Sequence, residues 1–93
     1  MKVLEAKSDG ELLRFFIVKQ NVKSEILYEF FYRYSSQKDG RVTTVVSEKE
    51  RYKSLQSGFR LVMQDVLALL SQKRSRLDIS AISDFQSRFP ATA

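Results

Sequence analysis

The first half of the chain alternates polar and apolar residues in the way that is typical of β-strands. Asp9-Gly10 and Asp39-Gly40 separate apolar segments, and this dipeptide favours tight hairpin turns because both residues tolerate positive φ. Another turn is predicted over the polar residues 20–24. The pattern predicts an antiparallel meander of four strands, at residues 1–7, 12–19, 25–35 and 41–46.

The predicted third strand, EILYEFFYRYS, is the most aromatic segment of the chain. Successive side chains of a strand point to opposite faces. One face would carry Ile26, Tyr28, Phe30, Tyr32 and Tyr34, and the other Leu27, Glu29, Phe31 and Arg33. We expect Phe30 and Ile26 to be core residues, because aromatic stripes usually indicate packing. The pattern leaves open which face is covered.

From Ser47 the pattern changes to a helical one. Ser47-Glu48-Lys49-Glu50 has the spacing of a capping box, which predicts that a helix begins there. Apolar residues then recur at steps of three and four, at Leu55, Phe59, Val62, Met63, Val66, Leu67 and Leu70. Gly58 weakens this helix and indicates a close approach to the sheet, with a local kink as the alternative. The predicted fold class is α+β, a ββββα unit whose single helix covers one sheet face.

Residues 1–76 are predicted to form this domain, and residues 77–93 a C-terminal tail. The tail is too apolar to remain free in water, since it contains Leu77, Ile79, Ile82, Phe85 and Phe89. A short helix is predicted from Ser80 onward. It would pack on its own domain or on a partner subunit, for which these five apolar residues are the candidate interface.

Composition limits the chain to one modest core, with 93 residues of which 43% are hydrophobic. The sequence has no continuous apolar stretch of the length that spans a bilayer, and its N-terminus lacks the pattern of a secretory signal. From these features we expect an intracellular protein, cytoplasmic or in the nucleus or nucleoid, with no membrane association.

The sequence contains neither cysteine nor histidine. This excludes disulfides, zinc sites built on thiolate or imidazole, a cysteine nucleophile and the commonest general base. Glu25 and Glu29 are the only carboxylates expected to share a strand face, and solvated surface charges explain them better than catalysis. We therefore expect a protein that is not an enzyme, with no catalytic residues, metal, cofactor or small-molecule substrate.

The net charge of +5 is concentrated in the second half of the chain. Residues 1–50 contain nine Lys/Arg and eight Asp/Glu, whereas residues 51–93 contain seven and three. The densest cluster is Lys73-Arg74-Ser75-Arg76. Such a cluster attracts phosphate groups, and it also suits the C-terminal end of a helix, where cations offset the partial negative charge of the carbonyls.

The stretch FFIVKQNVK, residues 15–23, combines an aromatic pair with a Val-Lys-x-Asn pattern and a further lysine. With the ββββα order, this resembles the Pur-alpha repeats and, in fold, the Whirly and positive-coactivator families of single-stranded-DNA-binding proteins. The resemblance covers roughly residues 10–70 and implies contact with nucleic acid through Lys19, Asn21 and Lys23. The sequence differs from the Pur signature at Ile17, where that family has an acidic residue, and at Ser24, where it has glycine.

A second resemblance comes from DGRVTTVVSEKE and the helix that follows it. This part is similar to the last strand and helix of the fourteen-kilodalton Alu-domain subunit of the signal recognition particle, an RNA-binding protein. That family begins with a helix, whereas LLRFFIVKQ is predicted to be a strand. Both resemblances imply nucleic acid.

The sequence therefore predicts a protein that binds single-stranded DNA or RNA and that pairs as a homodimer. Such ligands are held by cations along the phosphates and by aromatic rings on the bases. The candidate binding residues are Lys19, Asn21, Lys23, Phe31, Tyr32, Arg33, Tyr34, Lys38, Arg41, Lys73, Arg74 and Arg76. The alternative is a protein-interaction or assembly module, a homodimer or a subunit of a larger complex, whose open sheet face and apolar tail bind protein.

Overall fold

The structure is a computed structural model that describes residues 1–80, Ile82 and Asp84. Within these residues the predicted α+β fold is confirmed, as an antiparallel sheet followed by a helix. Between the fourth strand and the helix, the chain also forms a short fifth strand, which the sequence pattern does not predict. The strands are β1 (Lys2–Ser8), β2 (Glu11–Val22), β3 (Glu25–Lys38), β4 (Arg41–Val46) and β5 (Glu50–Tyr52), and the helix is α1 (Leu55–Gln72).

The strands are paired as a meander in the order β1-β2-β3-β4. β2 pairs with β3 along nearly the whole length of both strands, on one edge of β3. The other edge of β3 is divided, with β4 opposite residues 33–38 and β5 opposite residues 28–30. Beyond β1 and β5, residues 18–27 continue as a two-stranded hairpin, here called the β2–β3 ribbon.

Each of the three hairpins has a turn of two residues with positive φ. Asp9-Gly10 and Asp39-Gly40 form two of them, as predicted. The third is Lys23-Ser24, with φ of 51° and 68°. The predicted turn over residues 20–24 is therefore too long, because Gln20, Asn21 and Val22 pair with β3. Positive φ at both positions matches the twist of the flanking strands, which makes this turn suitable even without glycine.

The helix begins at Leu55, so the predicted capping box at Ser47 is wrong. Ser54 is the N-cap, and its side chain accepts a hydrogen bond from the Ser57 amide at 3.2 Å. Ser47 is instead tied to β3, where its hydroxyl oxygen accepts from the Tyr32 amide at 2.8 Å. Glu50 lies in β5 and accepts a hydrogen bond from the Tyr52 hydroxyl at 2.6 Å. A Ser-x-x-Glu spacing thus occurs here in a strand connection.

The helix covers the sheet face formed by the odd positions of β2 and the even positions of β3. The core is built from Ala6, Leu13, Phe15, Ile17, Phe30, Tyr34, Phe59, Val62, Met63, Val66, Leu70 and Ile82. Phe30 is in this core as predicted, whereas Ile26 is 46% exposed because it lies on the ribbon, beyond the helix. Leu67, placed in the apolar stripe by its spacing, is also exposed.

Gly58 allows the helix to lie directly on the sheet. A Cβ atom at this position would be 2.9 Å from Cζ of Phe30 and 2.9 Å from Cδ2 of Tyr52, and closer still to Cε2 of Phe30. The close approach predicted from this glycine is therefore present. Phe30 in turn packs edge-to-face against Phe15 and Tyr52.

Glu11 joins the sheet to the segment after the helix. It is 3% exposed, and its carboxylate accepts hydrogen bonds from the Tyr34 hydroxyl at 2.7 Å and from the Arg76 amide at 3.2 Å. Burial alone raises the pKa of this carboxyl, but hydrogen bonds from Ser75, Tyr34 and Arg76, with the charge of Lys38, hold it below its usual 4.5. Glu11 is therefore a buried anion with its donors in place.

The segment that follows Arg76 packs on its own domain as far as the structure describes it. Ile82 is 2% exposed in the core, and Leu77 and Ile79 pack against the same cluster. Ser80, Ile82 and Asp84 have helical backbone, in agreement with the predicted short helix. No helix in the described residues is long and apolar enough to cross a membrane.

Candidate nucleic-acid interface

The second face of the sheet is not covered by the helix and is here called the open face. It is formed by the even positions of β2 and the odd positions of β3. Its central residues are Leu12, Arg14, Phe16 and Val18 on β2, and Leu27, Glu29, Phe31 and Arg33 on β3. Phe31 and Arg33 are the two predicted binding residues on this face.

A stacked pair of phenylalanines lies at the centre of the open face. Phe16 and Phe31 are cross-strand partners, with ring centroids 4.5 Å apart and planes 10° from parallel. Both rings are partly exposed. The ammonium of Lys49 lies over Phe31 at 5.5 Å from the ring centroid, within the range of a cation–π contact. On the other side, Val3 of β1 is the cross-strand neighbour of Phe16.

Two arginines lie opposite one another next to this aromatic pair. Arg14 and Arg33 are cross-strand partners on the open face, and both are exposed. Arg14 is also paired with Glu5, Nε to Oε2 at 3.1 Å, while Arg33 makes no ion pair with any residue that the structure describes. Like charges directly opposite one another destabilise a sheet. Arg33 is thus a cation held where an additional anion would be favourable.

Glu29 is the carboxylate on the inner part of this face. It is buried, and its Oε2 accepts from Nε of Arg51 at 3.1 Å across the β3–β5 pair. Arg51 itself is largely exposed. Glu25, the other carboxylate expected on this strand face, lies exposed at the start of β3.

The residues of the Pur-like stretch lie on the β2–β3 ribbon. Lys19 and Asn21 belong to β2, and only Lys23 is in the turn. All three are exposed, and the odd strand positions of Lys19 and Asn21 point to the sheet side that the helix covers further along the strand. The structure therefore brings them together at one end of the molecule, away from the Phe16–Phe31 pair.

The two tyrosines that the sequence analysis includes in the site lie on the covered face. Tyr34 is 1% exposed and its hydroxyl is bonded to Glu11, so its ring has no surface available to a base. Tyr32 is half-buried and packs against the core. As positioned here, neither ring belongs to the open face with Phe31. Both tyrosines occupy even positions of β3, and the even positions of this strand face the helix.

Three predicted basic residues meet at the other end of the sheet. Lys38, Arg41 and Lys73 line a groove of about 240 Å³ together with Tyr34, Ser36 and Thr43. Arg74 and Arg76 are exposed just beyond it, and Arg74, with a φ of 52°, directly follows the C-cap Lys73. The twelve predicted residues thus fall into separate groups along a molecule 49 Å long.

Three of the five candidate partner residues of the tail pack within the chain. Ile82 is in the core, and Leu77 and Ile79 pack against it, which accounts for their apolar character without a partner. Phe85 and Phe89 lie outside the described residues. Among the described residues, no group of three or more acidic side chains could hold a metal ion.

Sequence reasoning misses Phe16, Arg14, Lys49 and Arg51 as members of the open-face cluster. For Phe16 and Arg14, the sequence signal that could have found them is the length of the turn between β2 and β3. A two-residue turn at Lys23-Ser24 fixes the register that places Phe16 opposite Phe31, whereas a five-residue turn leaves it undetermined. Arg51 belongs to β5 and Lys49 directly precedes it. The sequence pattern assigns this segment to a helix and therefore does not predict that either residue lies beside the sheet.

Comparison with known proteins gives no match: no family model, no curated protein and no solved structure is significantly similar to this chain. The resemblances found in the sequence therefore stay interpretations of its pattern, and the function of the chain is inferred from the open face itself.

Proposed function

We propose that the chain binds single-stranded DNA or RNA on the open face of its sheet. The observation that carries the proposal is the combination of the Phe16–Phe31 stack with the opposed arginines Arg14 and Arg33. The partly exposed rings offer bases an apolar stacking surface, worth about 1–3 kcal/mol per base. Such a ligand agrees with the expected intracellular location.

The charges next to the rings suit a phosphate backbone. Arg33 lies beside the like charge of Arg14, so an incoming phosphate removes a repulsion as well as forming its own contact. The ammonium of Lys49 lies over the ring of Phe31. It can contact a phosphate either from this position or after it leaves the ring. The resemblance to the Pur repeat implies further contacts at Lys19, Asn21 and Lys23, which a strand would reach only by passing around the end of the ribbon.

The proposal includes pairing of two copies through β4. In the described chain β4 pairs with β3 alone, and Val42 and Val46 are 68% and 63% exposed on its open-face side. An antiparallel pair of β4 strands centred on Thr44 would set Val42 of each copy against Val46 of the other. The middle of β4 carries no charge or proline to prevent such pairing. The two open faces would then form one surface.

Sedimentation analysis over a range of protein concentrations tests the pairing. Val46→Lys should lower the fraction of dimer, and Val3→Lys, an exposed valine on the opposite edge strand, should leave it unchanged. A monomer at all concentrations, or equal effects of both substitutions, would contradict pairing through β4.

A protein-assembly module is the second candidate function, favoured by the same exposed valines. Its contacts are apolar and should persist as salt rises, whereas phosphate contacts weaken steeply. Self-association that resists salt, in a folded sample that binds no oligonucleotide, would favour the assembly module.

Fluorescence anisotropy of labelled single-stranded DNA and RNA, at low and physiological salt, tests the main proposal. Arg33→Gln/Lys49→Gln should weaken binding and reduce the slope of log affinity against log salt by about 1.4 units, or about 0.7 for each cation removed from a single-strand site. The matched control is Lys53→Gln/Arg60→Gln, which removes the same charge from exposed positions outside the cluster. Absence of binding at low salt, or equal losses in both variants, would overturn the proposal.

A further inference from the structure

The groove beside the β3–β4 turn lies on the face opposite the Phe16–Phe31 pair. Ser36 and Lys38 of β3 are cross-strand partners of Thr43 and Arg41 of β4, so four side chains form a compact array on the covered side of the sheet. Lys73, at the C-cap of α1, approaches this array from the helix. Three cations from three different elements thus line one concave surface.

The charge of one of these cations, Lys38, already acts on the buried carboxylate of Glu11, but none of the three forms an ion pair with a described residue. Lys38 lies directly opposite Arg41. Like charges in this arrangement cost stability in the free protein. An anion in the groove would offset that cost, as it would for Arg33 on the open face.

The negative groups near the groove are already engaged. The carboxylate of Glu11 accepts from Tyr34 and Arg76. At the helix end, the carbonyls of Leu69, Leu70 and Ser71 accept from the amides of Lys73, Ser75 and Arg74. The partial negative charge of the helix end offsets part of the charge of Lys73. Lys38 and Arg41 come from the sheet hairpin, so the positive charge they bring is not explained by the helix.

We propose that this groove binds a phosphate group, as a phosphomonoester or the free ion. Arg41 supplies a planar guanidinium that can donate two parallel hydrogen bonds to phosphate oxygens, while Lys38 and Lys73 supply compact charges. The exposed hydroxyl of Thr43 adds a neutral donor beside them. A dianion matches the cluster better than a carboxylate, because three cations converge on one place.

This proposal is independent of the open face, since the groove lies on the other side of the sheet. The phosphate can come from a small phosphorylated molecule or from the end of a nucleic-acid strand. Both sources present the same group to the same three cations, so the test separates them in its second part.

The first part is a titration of the ¹⁵N-labelled protein with inorganic phosphate at constant ionic strength, followed by amide chemical shifts. Shift changes should be concentrated at Ser36, Lys38, Arg41, Thr43 and Lys73. Lys38→Gln/Arg41→Gln should weaken the binding about tenfold, the loss expected for charge-assisted hydrogen bonds. Lys53→Gln/Arg60→Gln is the matched control, with the same loss of charge at exposed positions outside both proposed sites. Equal losses of affinity in both variants, or no shift changes in the groove, would overturn the proposal.

The second part compares a 5′-phosphorylated oligonucleotide with its 5′-hydroxyl counterpart. A preference for the phosphorylated strand that disappears in Lys38→Gln/Arg41→Gln identifies a strand end as the source. Equal affinities, together with saturable binding of inorganic phosphate in the groove, identify a small phosphorylated molecule.

Discussion

The hydroxyl of Tyr34 donates a 2.7 Å hydrogen bond to the carboxylate of Glu11, and both residues are almost fully buried. Burial and this contact raise the pKa of the tyrosine above its usual 10.0, while hydrogen bonding outweighs burial in lowering the pKa of the glutamate. The two shifts agree, since the pair is most favourable with the phenol protonated and the carboxyl ionised.

Tyr34→Phe should lower the free energy of unfolding by about 1–3 kcal/mol, because it removes a donor from a buried carboxylate. Urea unfolding followed by circular dichroism measures the change. Tyr28→Phe is the matched control, since Tyr28 is only half-buried, and its effect should stay within about 0.5 kcal/mol. Equal effects of the two substitutions would show that the Glu11 contact adds nothing.

Acid should destabilise the protein partly through Glu11. Its pKa is lower in the folded state than in the unfolded chain, so its stabilisation is complete above the unfolded value and is lost as pH falls through the folded one. The free energy of unfolding should therefore fall more steeply in the native protein than in Glu11→Gln between about pH 5 and pH 3. Urea titrations at a series of pH values measure both slopes. The exposed Glu48→Gln should follow the native protein, and parallel curves for Glu11→Gln would contradict the prediction.

Gly58→Ala should destabilise the protein although alanine favours helices by about 1 kcal/mol. The added methyl meets the rings of Phe30 and Tyr52, and Phe30 is fully buried and cannot move aside freely. We expect a net loss of about 1–3 kcal/mol, typical of overpacking. Thermal unfolding compared with Gln64→Ala, at an exposed position of the same helix, measures it. A gain in stability would mean that the ring positions adjust easily.

Ser54→Ala should cost about 1 kcal/mol through loss of the N-cap hydrogen bond to the Ser57 amide. Ser57→Ala keeps that amide and is the control, with an effect near zero. Amide hydrogen exchange of the first helical turn should increase only in the Ser54 variant. If the two variants behave alike, the helix does not depend on Ser54 for its start.

Arg33→Glu should stabilise the fold while it abolishes the proposed binding of single strands. The new carboxylate would face Arg14 across the strands, and an opposite-charge pair there is worth about 0.2–1 kcal/mol. Chemical unfolding and oligonucleotide anisotropy on the same samples give both quantities. Arg60→Glu on the exposed side of α1 should leave binding nearly unchanged. Lower stability of Arg33→Glu would contradict the cost assigned to the arginine pair.

Turn chemistry explains which parts of the sheet could be predicted. Asp-Gly dipeptides mark two hairpins because their residues adopt positive φ at little cost. Lys23 and Ser24 adopt the same conformation without that mark, and the continued pairing of the strands imposes it. The register of β2 against β3 depends on this turn, and it could not be obtained from composition.

The helix start and the two faces show a different limit. Ser47 and Glu50 have the spacing of a capping box. The Ser47 hydroxyl instead accepts a hydrogen bond from the Tyr32 amide of β3, because tertiary pairing overrides a local preference. Ile26 and Phe30 have the same parity on β3, and only the extent of α1 decides that one is exposed and the other buried. The sequence therefore predicts that Phe31 and Arg33 share a strand face. It does not predict which residues of the other strands lie beside them.

The hydrogen bond from the Arg76 amide to Glu11 spans 65 positions of the chain, while the hairpins join neighbouring strands. A ribosome delivers the whole sheet before it delivers α1 and the segment that closes over Glu11. Until then, the future core face and its carboxylate remain in water. We expect nascent chains that end before residue 76 to be protease-sensitive and dependent on chaperones, and the fold to become resistant only when its last donors have emerged.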